Sequence, residues 1–198
     1  MHEEMIFGAL LAGGQARRLG GAKAMIEIGG GALCTHAARP LRLGASSLAV
    51  VGDAEAARHL GAILLSDPAG SPRGPLAGVC AALAWAQTAG AAWLLLAPCD
   101  TPFLPDDLGP RLRERAAQTG ASLVSARSGD GVHPLVSLWR SDLEGAVRAA
   151  LQGGRHPAMH DFIADLGAAY LELAQTDLIN VNTPQDVEEA RRQFARRG

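Results

Sequence analysis

Aromatic side chains are scarce in this chain of 198 residues, which holds one tyrosine, four phenylalanines and three tryptophans. Binding of single-stranded nucleic acid through stacked bases needs an aromatic platform, so that class is excluded. Surplus positive charge is missing as well: the formal charge is −2, and nothing draws the whole molecule to nucleic acid or to an anionic membrane. A phosphate ligand must then be held by a local cluster of cations. Cysteine is limited to Cys34, Cys80 and Cys99. That odd number without metal-ligand spacing argues against a disulfide framework or a zinc site, and a reducing, cytoplasmic setting is expected. Long hydrophobic runs are lacking too. The longest, Ala91 to Cys99, falls far short of the roughly 20 residues that span a bilayer. The acidic start, Met1-His-Glu-Glu, leads to the expectation of no export signal.

What is abundant is apolar and small: 48% of residues are hydrophobic and 24 are glycine. Short apolar runs alternate with amphipathic stretches, the pattern of an α/β domain whose largely parallel sheet is covered by helices on both faces. Strands are expected at Met5–Ala12, Ser47–Gly52, Ala62–Ser66, Ala92–Ala97, Ser122–Ala126, His133–Trp139 and Ala169–Leu173. Helices are expected at Leu33–Leu43, Ala54–Leu60, Leu76–Thr88, Asp106–Thr119, Ser141–Leu151, Met159–Leu166 and Pro184–Arg196, the last capped by Thr183. With no repeat or low-complexity linker, residues 1–198 read as a single domain.

In an open parallel sheet, ligands bind at the carboxyl ends of the strands, so chemistry is sought just after each apolar run. After the first comes Leu11-Ala-Gly-Gly-Gln-Ala-Arg-Arg-Leu-Gly-Gly-Ala-Lys23. Its glycines, Gly13 and Gly14 among them, let a ligand approach the backbone, while Arg17, Arg18 and Lys23 supply charge for phosphate. A flexible turn with solvated arginines is the plainer reading. The glycine spacing fits neither the common ATPase loop nor the dinucleotide fingerprint. The fourth run ends in Pro98-Cys-Asp-Thr-Pro102, where prolines stiffen the loop and Asp100 is placed as a hard oxygen ligand for Mg²⁺. Its plainer role, capping the next helix, is better suited to Asp106 and Asp107. Asp67 ends the third strand before Pro68 and Arg73-Gly-Pro-Leu-Ala-Gly78; it is either a ribose or base acceptor or an ordinary turn aspartate. No catalytic triad emerges. That fits transfer to an acceptor already ionised near neutral pH, which needs positioning and charge neutralisation more than a base.

Leu11-Ala-Gly-Gly with Arg-Arg-Leu-Gly-Gly, then Gly74-Pro-Leu-Ala-Gly, Pro98-Cys-Asp-Thr-Pro, His133-Pro and Asn180-Val-Asn-Thr-Pro184, in that order, closely resemble the molybdenum cofactor guanylyltransferase family. The resemblance implies a three-layer, Rossmann-like nucleotidyltransferase fold with a mainly parallel, mixed sheet. It implies transfer of GMP from GTP to the phosphate of molybdenum-bound molybdopterin with release of pyrophosphate. Leu11, Ala12 and Gly13 would bind GTP, Lys23 its phosphates, Asp67 the nucleoside and Asp100 both GTP and Mg²⁺. Gly52 would touch the nucleotide through its backbone, and Asn180 and Asn182 would face the pterin acceptor with His133 and Arg155 nearby. Molybdenum-cofactor delivery proteins and molybdoenzymes are implied as further partners. The sequence departs from the family where Ala22 stands in place of an aspartate before Lys23, at Arg155-His156, and at Gly30-Gly-Ala-Leu33.

Three alternatives stay open at this stage: a cytidylyltransferase for the same acceptor, a sugar-phosphate nucleotidyltransferase, and a non-catalytic nucleotide- or cofactor-binding protein. The first two share the glycine loop. The third follows from the principle that a fold guarantees no activity.

Overall fold

Alternation along the strands decides the layers. In β1 (Ile6–Leu11), Leu10 packs with one set of helices while Phe7 and Ala9 pack with another. In β4 (Ser47–Val51), Val50 and Val51 divide the same way, and in β6 (Trp93–Pro98) Leu95 and Ala97 oppose Leu94 and Leu96. Both faces are apolar, so both must be covered. A computed structural model describes residues 4–13, 23–71, 74–152 and 157–197 of the chain.

One face carries α1 (Leu33–Gly44), α2 (Ala54–Leu60) and α4 (Leu108–Thr119); the other carries α3 (Pro75–Thr88), α5 (Glu144–Leu151) and α6 (Met159–Asp165). Between them runs a seven-stranded sheet. Its order is β5 (Ile63–Leu65), β4, β1, β6, β8 (Gly131–Arg140), β7 (Leu123–Ser128), β9 (Ala169–Glu172). All pairings are parallel except those of β8, which runs antiparallel to β6 and β7. The fold is thus the expected three-layer α/β arrangement with a mixed sheet.

From β1 the chain steps outward through α1 and α2 to β4 and β5, then returns over the opposite face through α3 to β6 on the far side of β1. The sequence of strands therefore reverses beside β1, and the crevice at the carboxyl ends of β1 and β6 is the place where this class of sheet binds ligands.

Several elements differ from the sequence expectation. The helix expected over Ser141–Leu151 opens as a 3-10 turn, Ser141–Leu143, before α5. Ser141 is pinned to the edge of β6, its amide donating to Ala92 O at 3.0 Å and its hydroxyl to Ala91 O at 2.6 Å, which holds it out of the α-helix. The strand expected from His133 begins at Gly131 because it forms a hairpin with β7. A two-stranded ribbon, β2 (Glu27–Ile28) with β3 (Gly31–Ala32), has no counterpart in the expected list. It packs with α7 (Pro184–Arg197) and Phe103 in a third apolar cluster around Ile28, Leu33 and Val181. Neither Asp106 nor Asp107 caps α4 with its side chain: Asp106 pairs with Arg39 at 2.6 and 2.7 Å, and Asp107 holds the cap position without a side-chain bond. The expected cap at Thr183 is present, its hydroxyl accepting the Asp186 amide at 3.2 Å.

Candidate active site

Four strand ends, those of β1, β4, β5 and β6, are tied together at the crevice floor. The Ala12 amide donates to Val51 O at 3.0 Å, the Cys99 amide to Leu11 O at 2.9 Å, and the Gly52 amide to Leu65 O at 3.0 Å. Above them opens a cavity of about 610 Å³ whose lining includes Leu11, Gly13, Lys23, Asp67, Gly78 and Asp100. That volume lies within the usual range for small-molecule sites. Gly74 and Pro75 at the first turn of α3 also line it, so the positive end of that helix dipole lies at the ligand space. Such a helix start favours an anion.

The cavity brings together two side chains 77 positions apart in sequence: Lys23 Nζ donates to Asp100 Oδ2 at 2.7 Å. The Lys23 side chain is 12% exposed and that of Asp100 24%, so the pair feels a lower effective dielectric than a surface ion pair. A third partner completes the group, with Asn182 Oδ1 accepting from the same Nζ at 2.6 Å. The loop that carries Asn182 is docked by the Val181 amide on Asp100 O at 2.8 Å, and by the Thr101 hydroxyl donating to Asn180 Oδ1 at 2.8 Å. Two motifs remote in sequence therefore meet around one ammonium group.

Asp67 and Gly78 also line the cavity. A Cβ placed on Gly78 would stand 3.2 Å from Leu11 Cδ2, 3.3 Å from Val51 Cγ1 and 3.7 Å from Asp67 Oδ1, so the absence of a side chain there lets α3 pack closely on β1 and β4. Cys99, beside Asp100, has its thiol pushed up to about 12, chiefly by burial and secondarily by the Asp100 charge. It is a packing residue rather than a nucleophile.

The His133-Pro pair takes a place that its sequence does not reveal. Pairing of β7 with β8 jumps from Ser125 opposite Ser137 to Ala126 opposite His133, so three extra residues bulge from β8. Pro134 lacks the amide a regular ladder needs, and the bulge accommodates it. Two buried hydroxyls hold the carbonyls so released: Ser125 Oγ donates to His133 O at 3.1 Å and Ser137 Oγ to Pro134 O at 2.8 Å. Leu135, at the apex of this bulge, becomes part of the cavity wall. Leu135, Ser125 and Ser137 are not among the expected residues; a proline inside a strand pattern marks the strand as irregular without saying which residues it brings to the cavity. The His133 ring turns to its own hairpin, with Nε2 3.0 Å from Ser128 Oγ and 3.4 Å from Asp130 Oδ1. Gly14, Arg17, Arg18, Ala22, Arg155 and His156 lie outside the described residues.

Among the described residues no group of three or more His, Cys, Asp or Glu side chains is placed to hold a metal by itself. A Mg²⁺ ion needs only one or two carboxylates when substrate phosphates and water complete its shell. Asp100, a hard oxygen donor on the cavity wall with one oxygen on Lys23, fits that donor set. No helix among the described residues is long and apolar enough to cross a membrane.

Known proteins resemble this chain over most of its length. A family profile described as "MobA-like NTP transferase domain" matches residues 8–169. A molybdenum cofactor guanylyltransferase of Cereibacter sphaeroides is 41% identical over 189 residues, covering 93% of this chain and 95% of that protein. One from Rhodopseudomonas palustris is 37% identical over 191 residues, with 92% and 91% covered. Among solved structures, the molybdopterin-guanine dinucleotide biosynthesis protein A of Archaeoglobus fulgidus superposes with a TM-score of 0.77 at 20% identity, covering 97% of this chain and all of that one.

Proposed function

The chain belongs to the MobA-like NTP transferase family, among the molybdenum cofactor guanylyltransferases, and from that premise we propose that it transfers GMP from GTP to molybdenum-bound molybdopterin in a Mg²⁺-dependent reaction. The acceptor's terminal phosphate oxygen attacks the α-phosphorus of GTP. The bond from that phosphorus to the bridging oxygen breaks, pyrophosphate leaves with the electron pair, and molybdopterin guanine dinucleotide remains. The observation that carries the reading is the meeting of Lys23 and Asp100 at 2.7 Å on the wall of a cavity that the start of α3 also faces.

In this reading Lys23 neutralises the triphosphate, and the Leu11, Ala12 and Gly13 backbone supports it beside the first turn of α3. Asp67, which lines the cavity beside Gly78, accepts from the nucleoside. Asp100 would hold Mg²⁺, which would supply charge neutralisation for the triphosphate. Asn180 and Asn182, whose loop docks on Asp100 through the Val181 amide, are assigned to the acceptor. Their amides offer paired donors and acceptors of the kind a pterin edge needs. Catalysis then rests on alignment and electrostatic complementarity rather than on a general base.

The test is a nucleotide panel of GTP, CTP, ATP and UTP with Mg²⁺ and molybdenum-loaded molybdopterin, read by product mass. The expected outcome is a guanine dinucleotide product with one pyrophosphate released. Consumption of CTP with GTP untouched would assign the cytidylyl reaction instead.

A further inference from the structure

Asp186 lies outside every motif read above except as a helix-start residue, yet its carboxylate does more than a helix start requires. Thr183 occupies the cap of α7, and its hydroxyl takes the Asp186 amide at 3.2 Å. In return Asp186 Oδ2 takes the Thr183 amide at 2.8 Å, which completes the reciprocal box that satisfies a helix beginning. The same oxygen also accepts the Asn182 amide at 2.8 Å. Asn182 precedes the cap, so its N–H is not one of the donors that helix formation leaves unpaired. This bond orients Asn182 rather than the helix. Asn182 Oδ1 in turn holds Lys23 Nζ at 2.6 Å, and Lys23 reaches Asp100 at 2.7 Å. A short chain of contacts thus runs from Asp186 through Asn182 to the ammonium group of the site.

We infer that Asp186 is a positioning residue for nucleotide binding: by fixing the Asn182 backbone it sets the direction of the Asn182 side chain and so the place of Lys23. The inference rests on the reading of Lys23 as the triphosphate-binding cation. The Asp186 carboxyl is held below the usual carboxylate range, first by the Asn182 amide, in keeping with a carboxylate that is charged whenever the site is in use. The electrostatic reach of Lys23 adds to that depression.

The experiment is calorimetric titration of Mg²⁺·GTP, with Mg²⁺·CTP in parallel, into the full chain and its variants. Asp186→Ala is expected to weaken nucleotide binding about tenfold, as coupled neighbours in one hydrogen-bond network do. Asp186→Asn keeps an oxygen for both amides and is expected to restore affinity to within about threefold. Thr183→Ala removes the helix cap but leaves the Asn182 bond, and is expected to lower thermal stability without loss of affinity. In the Asn182→Ala background, adding Asp186→Ala is expected to cost no further affinity, because the path to Lys23 is already cut. Should Asp186→Ala fail to fold, Asp186→Glu serves in its place: it keeps a residue that caps well at this position but displaces the Asn182 contact. Equal affinities for Asp186→Ala or Asp186→Glu and wild type, or full additivity with Asn182→Ala, would overturn the inference. Preference of the wild type for CTP would instead overturn the guanine reading, while the variant comparison would stand on CTP.

Discussion

Gly52 and Gly13 approach so closely that a Cβ on Gly52 would lie 2.7 Å from the Gly13 Cα, and Gly52 itself sits at φ +86°. Either condition alone penalises a side chain; together they make the end of β4 a seat for the loop that follows β1. Gly52→Ala is expected to cost ~1–3 kcal/mol of stability and to weaken GTP binding by displacing Gly13. Urea unfolding monitored by circular dichroism, paired with a GTP titration, checks both. A variant as stable as wild type would show that the two loops part freely.

Lys23→Ala leaves Asp100 and Asn182 without their shared partner. The expected result is a drop in GTP affinity of about tenfold or more, because a charge-assisted contact to phosphate in a partly dry site is lost. Titration calorimetry reads it directly, and unchanged affinity would remove Lys23 from the triphosphate.

Ser137 is fully buried, donates to Pro134 O at 2.8 Å and accepts from Trp139 Nε1 at 2.7 Å. Ser137→Ala strands both partners, and the expected loss is ~1–3 kcal/mol, with a further fall in kcat/KM as the bulge that presents Leu135 relaxes. A denaturation midpoint equal to that of wild type would mean the bulge does not depend on this hydroxyl.

These three outcomes bear on how much of the molecule the sequence discloses. Strands β1, β4 and β6 announce themselves as apolar runs, since both faces are covered; Asp100 follows from its place at a strand end, and Lys23 from the glycine-rich loop after β1. What stays hidden depends on pairing. Nothing local to Gly131–Arg140 says that it runs antiparallel beside β6 or that three residues bulge, because only the partner strand defines a register. Asp106 looked like a helix cap because its salt partner, Arg39, lies 67 positions away. Asn182 could be named as a site residue, but not its bond to Lys23 across 159 positions.

The three cysteines are buried, and the thiols of Cys34, Cys80 and Cys99 are all pushed above the ordinary value, chiefly by desolvation. A raised pKa keeps the neutral thiol dominant below it; for Cys99 that extends to about 12. At pH 8 the native protein is therefore expected to resist iodoacetamide and to label at all three positions once unfolded. Fast labelling of Cys99 in the native protein, followed by mass spectrometry, would contradict its buried, inert role.

Asp100 meets Lys23 in the resting site, and in the proposed reaction it would hold Mg²⁺ against the triphosphate. Single-turnover formation of the guanine dinucleotide by wild type and Asp100→Asn, at saturating GTP and molybdenum-loaded molybdopterin across a Mg²⁺ series, tests that most directly. Loss of the charge with the shape kept is expected to slow transfer at least about a hundredfold, with no recovery at high Mg²⁺. Transfer by Asp100→Asn within about twofold of wild type at the same Mg²⁺ midpoint would contradict it.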